Sequence, residues 1–236
     1  MDAGSRWDGG RRAFARALGA AAACAALGSV AAARAQSAPR DARPVLLVVG
    51  DSLSAEYGLR RGAGWVALLE ARLRERGLDW QVVNASISGD TTAGGAARLP
   101  ALLERHAPRA VVIELGGNDA LRGLPVAATR ANLADMARRS TRIGARVLIA
   151  GMKIPPNYGR AFSEQFERAF AEVAREQRAV LVPFLLEGLV EREELFQADR
   201  IHPTAAAQPI LLGNVWPALE PMLRAAQADR PLARRD

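Results

Sequence analysis

The amino-acid sequence predicts one α/β domain built on a parallel sheet with helices on both faces. Three observations lead there. Short β-branched runs alternate with amphipathic stretches about five times, the order expected of strand-helix-strand units rather than hairpins. The chain of 236 residues is long enough for one full core, and 50% apolar against 24% charged residues is the balance of a soluble globular protein. No internal repeat or low-complexity tract interrupts the alternation.

The first 35 residues stand apart from this pattern. A basic head with Arg11 and Arg12 precedes a weakly apolar Ala/Gly run from Ala17 to Ala33, and Ala33-Arg34-Ala35 is an A-x-A cleavage pattern. Residues 1–35 are therefore predicted to be an export signal, removed before Gln36, so that the protein is periplasmic or secreted. The run has too little Leu and Ile for a spanning helix, which needs about 20 strongly apolar residues. Arg11-Arg12-Ala13-Phe14-Ala15-Arg16 resembles a twin-arginine signal, with an ordinary secretory signal as the alternative. Cys24, the only cysteine, lies inside this run. A lipid anchor there would want Leu three positions earlier, where Ala21 stands, so no stable membrane anchor is expected. The mature chain can form no disulfide.

A polar linker over 36–44 leads into a domain predicted over 45–225, and a polar tail is predicted over 226–236. Within the domain, Val45 to Val49, Trp80 to Asn84, Ala110 to Leu115, Val147 to Gly151 and Ala179 to Val182 read as buried strands. Between them, Trp65, Leu68, Leu69 and Leu73 recur at helical spacing. So do Leu99, Leu102 and Leu103, then Leu133, Met136 and Ala137, then Phe162, Phe166, Phe170 and Val173. A final amphipathic helix follows residue 203.

The formal charge of +7 does not point to nucleic acid. The first 35 residues hold +3 of it, and the remaining +4 is spread along later helices with no stripe of aromatics between the basic residues. Two histidines and no Cys/His cluster exclude a structural zinc site. What remains is a small-molecule site, which in open parallel sheets lies beyond the carboxyl ends of the strands.

Those strand ends are distinctive. The first runs into Gly50-Asp51-Ser52-Leu53-Ser54, the second into Ser86-Ile87-Ser88-Gly89-Asp90, and the third into Gly116-Gly117-Asn118-Asp119. Asp199-Arg200-Ile201-His202-Pro203 precedes the last helix. A spacing of three lets Asp199 and His202 point into one cleft. A carboxylate so placed holds an imidazole in one tautomer, and the other ring nitrogen can then take a proton from a serine. His106 follows Glu104-Arg105 at a predicted helix end, where it reads as a C-terminal cap. Any histidine base is then His202.

Each element also has a structural explanation. Ser52 alone fits an N-cap, Asp199-x-x-His202 fits an Asx-turn with a surface histidine, and Gly89 and Gly116-Gly117-Asn118-Asp119 fit turns that need positive φ. Those explanations do not account for all four falling at one edge of the sheet.

In order and spacing, these blocks resemble the SGNH (GDSL) hydrolases over roughly residues 45 to 220. Longer strings sharpen the likeness to the arylesterase, acyl-CoA thioesterase I and lysophospholipase branch: Gly50 to Gly58, Val83 to Thr91, Glu114 to Gly123, Pro155-Pro156-Asn157-Tyr158-Gly159, and His202-Pro203 with Ala207-Gln208-Pro209. The resemblance implies a flavodoxin-like three-layer sandwich with a five-stranded sheet and Ser52 as nucleophile. It also implies an oxyanion hole from the Ser52 amide, the Gly89 amide and the Asn118 side chain, with Asp199 and His202 as partners. No metal or organic cofactor is implied. Two residues depart from the branch, Glu56 and Arg200, each standing where Gly is usual.

Competing motifs fail on context. Gly62-Ala63-Gly64-Trp65-Val66-Ala67 matches a dinucleotide fingerprint but begins well after the first strand. No G-x-S-x-G elbow surrounds Ser52, and there is no P-loop.

The reading reached from sequence is a serine esterase or thioesterase acting on small-molecule acyl substrates such as aryl esters, acyl-CoA or lysophospholipids. A carbohydrate O-acetyl esterase and a catalytically silent lipid- or glycan-binding module are the alternatives. The segments Ala120 to Pro125 and Met152 to Tyr158 are expected to be irregular and to line the cleft with Leu121, Leu124, Met152, Ile154 and Tyr158. That lining would favour an apolar acyl chain. If the same side chains pack inward, the cleft is short and polar and suits an acetyl group.

Overall fold

A computed structural model describes residues 43–154 and 156–229. The predicted signal over 1–35, nearly all of the linker and the end of the tail lie outside the described residues. Five strands, β1 (Val45–Gly50), β2 (Gln81–Asn84), β3 (Ala110–Glu114), β4 (Arg146–Ala150) and β5 (Val180–Val182), pair in parallel in the order β2-β1-β3-β4-β5. That is the flavodoxin-like order. Between and after them run α1 (Trp65–Glu75), α2 (Thr92–His106), a short α3 (Gly117–Leu121), α4 (Val126–Arg142), α5 (Arg160–Gln177) and α6 (Gln208–Ala228). Every run predicted as a strand is one, within a residue or two at its ends.

Burial follows position in the sheet. The central strands β1, β3 and β4 are covered on both faces, so Leu46 to Val49, Val111 to Ile113 and Leu148 to Ala150 are fully enclosed. The edge strands β2 and β5 are only half-buried. Helices α1 and α6 pack together on one face, while α2, α4 and α5 cover the other. In α5 the buried residues are Phe166, Ala169, Phe170, Val173 and Ala174, a stripe at helical spacing that continues from one turn to the next.

Two buried polar contacts fix the helix starts. Gln208 Oε1 accepts from the Trp65 N–H that opens α1, at 3.0 Å. Asp119, itself buried, accepts from the Thr92 N–H that opens α2, at 2.8 Å, and from the hydroxyls of Thr92 and Thr129. One carboxylate thus ties α3 to the starts of α2 and α4.

Three boundaries differ from the sequence reading, one of them at Pro156–Tyr158, expected to be irregular but wound into a single 3-10 turn. The Gly116–Asp119 segment, read as a turn, enters α3 directly, and Ala120 and Leu121, expected in an irregular loop, are helical. Gly116 turns the chain there at φ 124°, a conformation reserved for glycine, and a Cβ would come within 2.9 Å of the Phe170 ring. At the other end, α6 continues to Ala228 and takes in the first three residues of the predicted tail. Ala226 is buried, and the Arg109 guanidinium donates to its carbonyl at 2.7 Å. A helix end held by a residue 117 positions earlier leaves no local stop signal.

Removing the Asp119 carboxylate strands three donors in the interior. We expect Asp119→Ala to lower unfolding free energy by about 3 kcal/mol in urea titration, the cost of leaving buried donors without acceptors. A loss under about 1 kcal/mol would show that the carboxylate does not hold the helix starts.

Candidate active site

The chain leaves β1 toward β2 and then returns to the other side of β1 to form β3, so the strand order reverses between β1 and β3. In open parallel sheets a crevice opens at such a reversal, beyond the carboxyl ends of the strands. Ser52 follows β1, Gly89 lies in the loop after β2, and Asn118 is the second residue of α3 after β3. Asp199 and His202 sit between β5 and α6. His106 ends α2 at the opposite edge of the sheet. The cap there is Ala107, in the left-handed region, rather than the histidine side chain.

Ser52 does not cap a helix. Its segment winds through turns, with Ala55 N–H donating to Asp51 O at 2.9 Å and Tyr57 N–H to Ser52 O at 3.3 Å. Its hydroxyl lies 2.8 Å from His202 Nε2, and His202 Nδ1 lies 2.7 Å from Asp199 Oδ2. Asp199 Oδ1 also accepts from the N–H groups of Ile201 and His202, each at 3.0 Å. Those contacts hold the Asp199 carboxyl at about 2, the His202 N–H contributing most. The orienting group is thus ionised wherever an imidazole titrates.

Gln197 holds the two halves of this arrangement together. Its amide nitrogen donates to Tyr57 O at 2.9 Å and to Pro203 O at 3.1 Å, and its own N–H donates to His202 O at 2.7 Å. Tyr57 in turn lays its ring against the His202 imidazole, centroids 4.2 Å apart. Residues 51–59 and 197–203 are therefore clasped across the crevice.

The two departures, Glu56 and Arg200, both have positive φ, 61° and 58°. Glycine is the ordinary occupant of that region, which explains why glycine suits both positions. Glu56 offsets the strain by accepting from the N–H groups of Gly62 and Gly64, so its charge closes the loop ahead of α1. Arg200 makes the tight bend that brings His202 back over Asp199.

Asn118 Nδ2 donates to Asp51 Oδ2 at 3.0 Å and to Asp90 O at 2.9 Å, which sets the amide between the neighbours of Ser52 and Gly89. Arg98 steadies the same place from behind. Its guanidinium donates to Asp90 Oδ2, Ala85 O and Gly50 O, joining the ends of β1 and β2. The N–H groups of Ser52 and Gly89 have no acceptor among the described residues. Two backbone donors thus go without an acceptor, one on Ser52 itself and one on the residue before Asp90, whose carbonyl takes the Asn118 amide.

Beneath the serine lies a pair of buried acids. Glu114, at the end of β3, is fully enclosed. Its Oε2 accepts from Ser54 Oγ at 2.7 Å and from Asp51 N–H at 3.3 Å. Ser54 accepts in turn from Trp65 Nε1. Gly50 has no room for a side chain here, since a Cβ would approach Glu114 Oε2 to 2.7 Å. Burial, then the neighbouring Asp51 charge, push the Glu114 carboxyl well above its usual range. Asp51 is raised to about 6, by burial against the opposing pull of the Leu53 N–H and the Asn118 amide. Two adjacent buried carboxylates cannot both ionise cheaply, and the more deeply buried Glu114 is the one pushed toward its neutral form.

The expected lining residues divide. Met152 is buried in the core and Ile154 packs against it, while Leu124 is half-buried. Leu121 and Tyr158 stand exposed. The sequence reading missed Gln197, Arg98 and Glu114. Only Glu114 carried a signal, as a lone acid ending an apolar strand. Among the described residues, no group of three or more His, Cys, Asp or Glu is placed to hold a metal ion.

Comparison with known proteins gives the family and the fold. A family model for GDSL-like lipases and acylhydrolases matches residues 48–209. Esterase TesA of Pseudomonas aeruginosa is 56% identical over 182 residues, which are 77% of this chain and 90% of that protein. Thioesterase 1/protease 1/lysophospholipase L1 of Escherichia coli K12 is 40% identical over 182 residues, 77% of this chain and 86% of that one. A crystal structure of TesA superposes with a TM-score of 0.74 at 56% identity, covering 75% of this chain and 99% of that chain.

The Glu114 carboxyl yields a stability test. A carboxyl whose pKa is raised in the folded state stabilises below its unfolded value, and that contribution is lost as pH climbs toward the folded value. The penalty begins above about 4.5, the ordinary glutamate value. Glu114→Gln cannot ionise. Its stability relative to the parent should therefore rise between pH 5 and pH 8, by at most about 1.4 kcal/mol per pH unit. A difference that is flat or falls with pH would mean that Glu114 is ionised.

Proposed function

Because this chain belongs to the GDSL-like lipase/acylhydrolase family and is a serine hydrolase of carboxylic ester and thioester bonds, we propose that Ser52, His202 and Asp199 carry the reaction through an acyl-enzyme. The observation that carries the assignment is the 2.8 Å contact from His202 Nε2 to Ser52 Oγ, continued at 2.7 Å from His202 Nδ1 to Asp199. As Ser52 Oγ attacks the acyl carbonyl, His202 takes the hydroxyl proton. Asp199 keeps the ring in the tautomer that leaves Nε2 free to accept it.

The negative charge that develops on the carbonyl oxygen is met by the open N–H groups of Ser52 and Gly89. Asn118 adds a third donor by turning to the oxyanion a hydrogen now shared with Asp51 and Asp90. Donors held in place before the reaction need no reorganisation, and this is commonly the largest catalytic contribution. The leaving alcohol or thiol departs with the proton from His202. Water, deprotonated by the same nitrogen, then attacks the acyl carbon and releases the acid. The free hydroxyl of Ser52 is restored.

The substrate is a small-molecule ester. We further propose that Leu121, Leu124, Ile154 and Tyr158 receive the acyl chain, with Met152 as the floor beneath them. Export through residues 1–35 is part of the same proposal. Among the described residues no helix is long and apolar enough to cross a membrane.

Ser52→Ala should abolish both turnover and labelling by a fluorophosphonate probe, read by intact mass. An adduct on Ser54 or Ser88 in that variant would overturn the nucleophile assignment. Asn118→Ala should lower kcat by roughly 10²–10³ with little change in KM, as expected for loss of one oxyanion donor. A raised KM at constant kcat would make Asn118 a substrate-binding residue instead.

Acyl preference tests the lining. Each methylene buried contributes about 0.8 kcal/mol, so kcat/KM should rise from acetyl to hexanoyl p-nitrophenyl esters, with measurable hydrolysis of medium-chain acyl-CoA. A tenfold preference for acetyl, about 1.4 kcal/mol, would transfer the assignment to a carbohydrate O-acetyl esterase.

A further inference from the structure

Asn118 and Arg122 are four residues apart, and the winding of α3 runs on to Arg122, whose N–H donates to Asn118 O at 3.2 Å. A spacing of four puts both side chains on one face. That face meets the loop after β2. Asn118 Nδ2 donates to Asp90 O at 2.9 Å, and Arg122 Nη2 donates to Gly89 O at 2.8 Å. Two consecutive carbonyls of the loop are thus held from one turn of helix.

Residues 87–90 form a type II turn. Asp90 N–H donates to Ile87 O at 3.1 Å, and Gly89 has φ 79°, the conformation such a turn requires at its third residue. The first residue of the turn is fixed to the end of β1, since Ile87 N–H donates to Gly50 O at 3.0 Å. Its far end is held by Arg98 at the Asp90 carboxylate and by the two side chains from α3. The reaction draws on one of these contacts. Asn118 Nδ2 carries two hydrogens and places them on Asp51 Oδ2 and Asp90 O, so meeting an oxyanion means turning one away. Once Asp90 O is released, Arg122 on Gly89 O is the one hydrogen bond left between residues 117–122 and 87–90, among the described residues. It grips the residue whose N–H must stay aimed.

We propose that Arg122 is a positioning residue for the oxyanion site: through the Gly89 carbonyl it keeps the Gly89 N–H in register with Ser52 and Asn118 while the charged intermediate forms. The inference rests on the proposed function, which makes the Gly89 N–H an oxyanion donor. Arg122 acts through Gly89 and takes no part in bond making. A donor must sit about 3 Å from the oxyanion, so a turn free to shift by about 0.5 Å loses much of what Gly89 contributes. The neutral ester asks less of the same donor, and the loss therefore falls on kcat rather than on KM.

Steady-state kinetics on p-nitrophenyl butyrate, which carries no charge for the guanidinium to bind, test this. Arg122→Ala should lower kcat about tenfold and leave KM within about twofold. Arg122→Lys keeps a cationic donor for the carbonyl and should stay within about threefold of the parent. A hexyl trifluoromethyl ketone adds Ser52 Oγ to its carbonyl carbon, the serine proton passing to His202, and leaves an oxyanion in the same site. Its inhibition constant should weaken about tenfold in Arg122→Ala. Arg122 is exposed, and both variants should keep the parent thermal melt.

An unchanged kcat in Arg122→Ala would overturn the proposal, and so would a lysine variant as impaired as the alanine one. A loss carried by KM would make Arg122 a substrate-binding residue instead. A lowered melt with ketone binding intact would make it a structural one. Ser52→Ala protein that still cleaved the ester would count against the proposed function. An inert Ser52→Ala beside a fully active Arg122→Ala would remove the positioning role alone.

Discussion

The hydrogen bond from Ser52 Oγ to His202 Nε2 joins residues 150 positions apart, and the rest of the site has meaning only if it is made. Such a contact survives when both ends are held more tightly than the bond itself could hold them. On one side Ser52 leaves the end of a strand buried on both faces, above the Glu114–Ser54–Trp65 chain of hydrogen bonds. On the other, His202 sits in a loop closed on itself by the Asp199 carboxylate and by the bridge between Phe196 and Pro203. Gln197 then ties the two loops directly, so their separation does not depend on the reacting groups.

The interior behind the site is unusually polar for a domain with so apolar a sheet. Asp119 serves helix starts, Arg98 serves the carbonyls at the ends of β1 and β2, and Glu114 serves Ser54 and the Asp51 N–H. Each satisfies donors or acceptors that the turn from strand to helix leaves open, and burial makes such contacts costly to lose. Rigidity is the functional return. An oxyanion site stabilises charge only if its donors are already aimed, and the Asn118 amide is aimed by Asp51 and Asp90, which are themselves anchored by this network.

Glu56 and Arg200 show how a departure from the usual residue can be absorbed. A non-glycine side chain in the left-handed region costs energy. Glu56 recovers some of it through three contacts to backbone N–H groups. Arg200, exposed beside Glu193, recovers less. Its bend is held instead by the two N–H bonds to Asp199 Oδ1 on its far side.

By itself the sequence determined the α/β class, the five strands, the edge of the sheet at which chemistry happens, and the residues Ser52, Gly89, Asn118, Asp199 and His202 as candidates. Periodicity and turn chemistry are local properties, so they survive in one dimension, and short motifs at strand ends inherit their position from the strands. Only the tertiary structure decided the rest. The helix Gly117–Leu121 is tied to α2 and α4 by the shared Asp119 carboxylate, and the end of α6 is held by Arg109. Whether Met152 turns inward, whether Glu114 is neutral, and whether Gln197 matters at all follow from burial and from bonds across 60 to 140 residues. No window of sequence contains both partners of such a bond, and that is why these features could not be read from it.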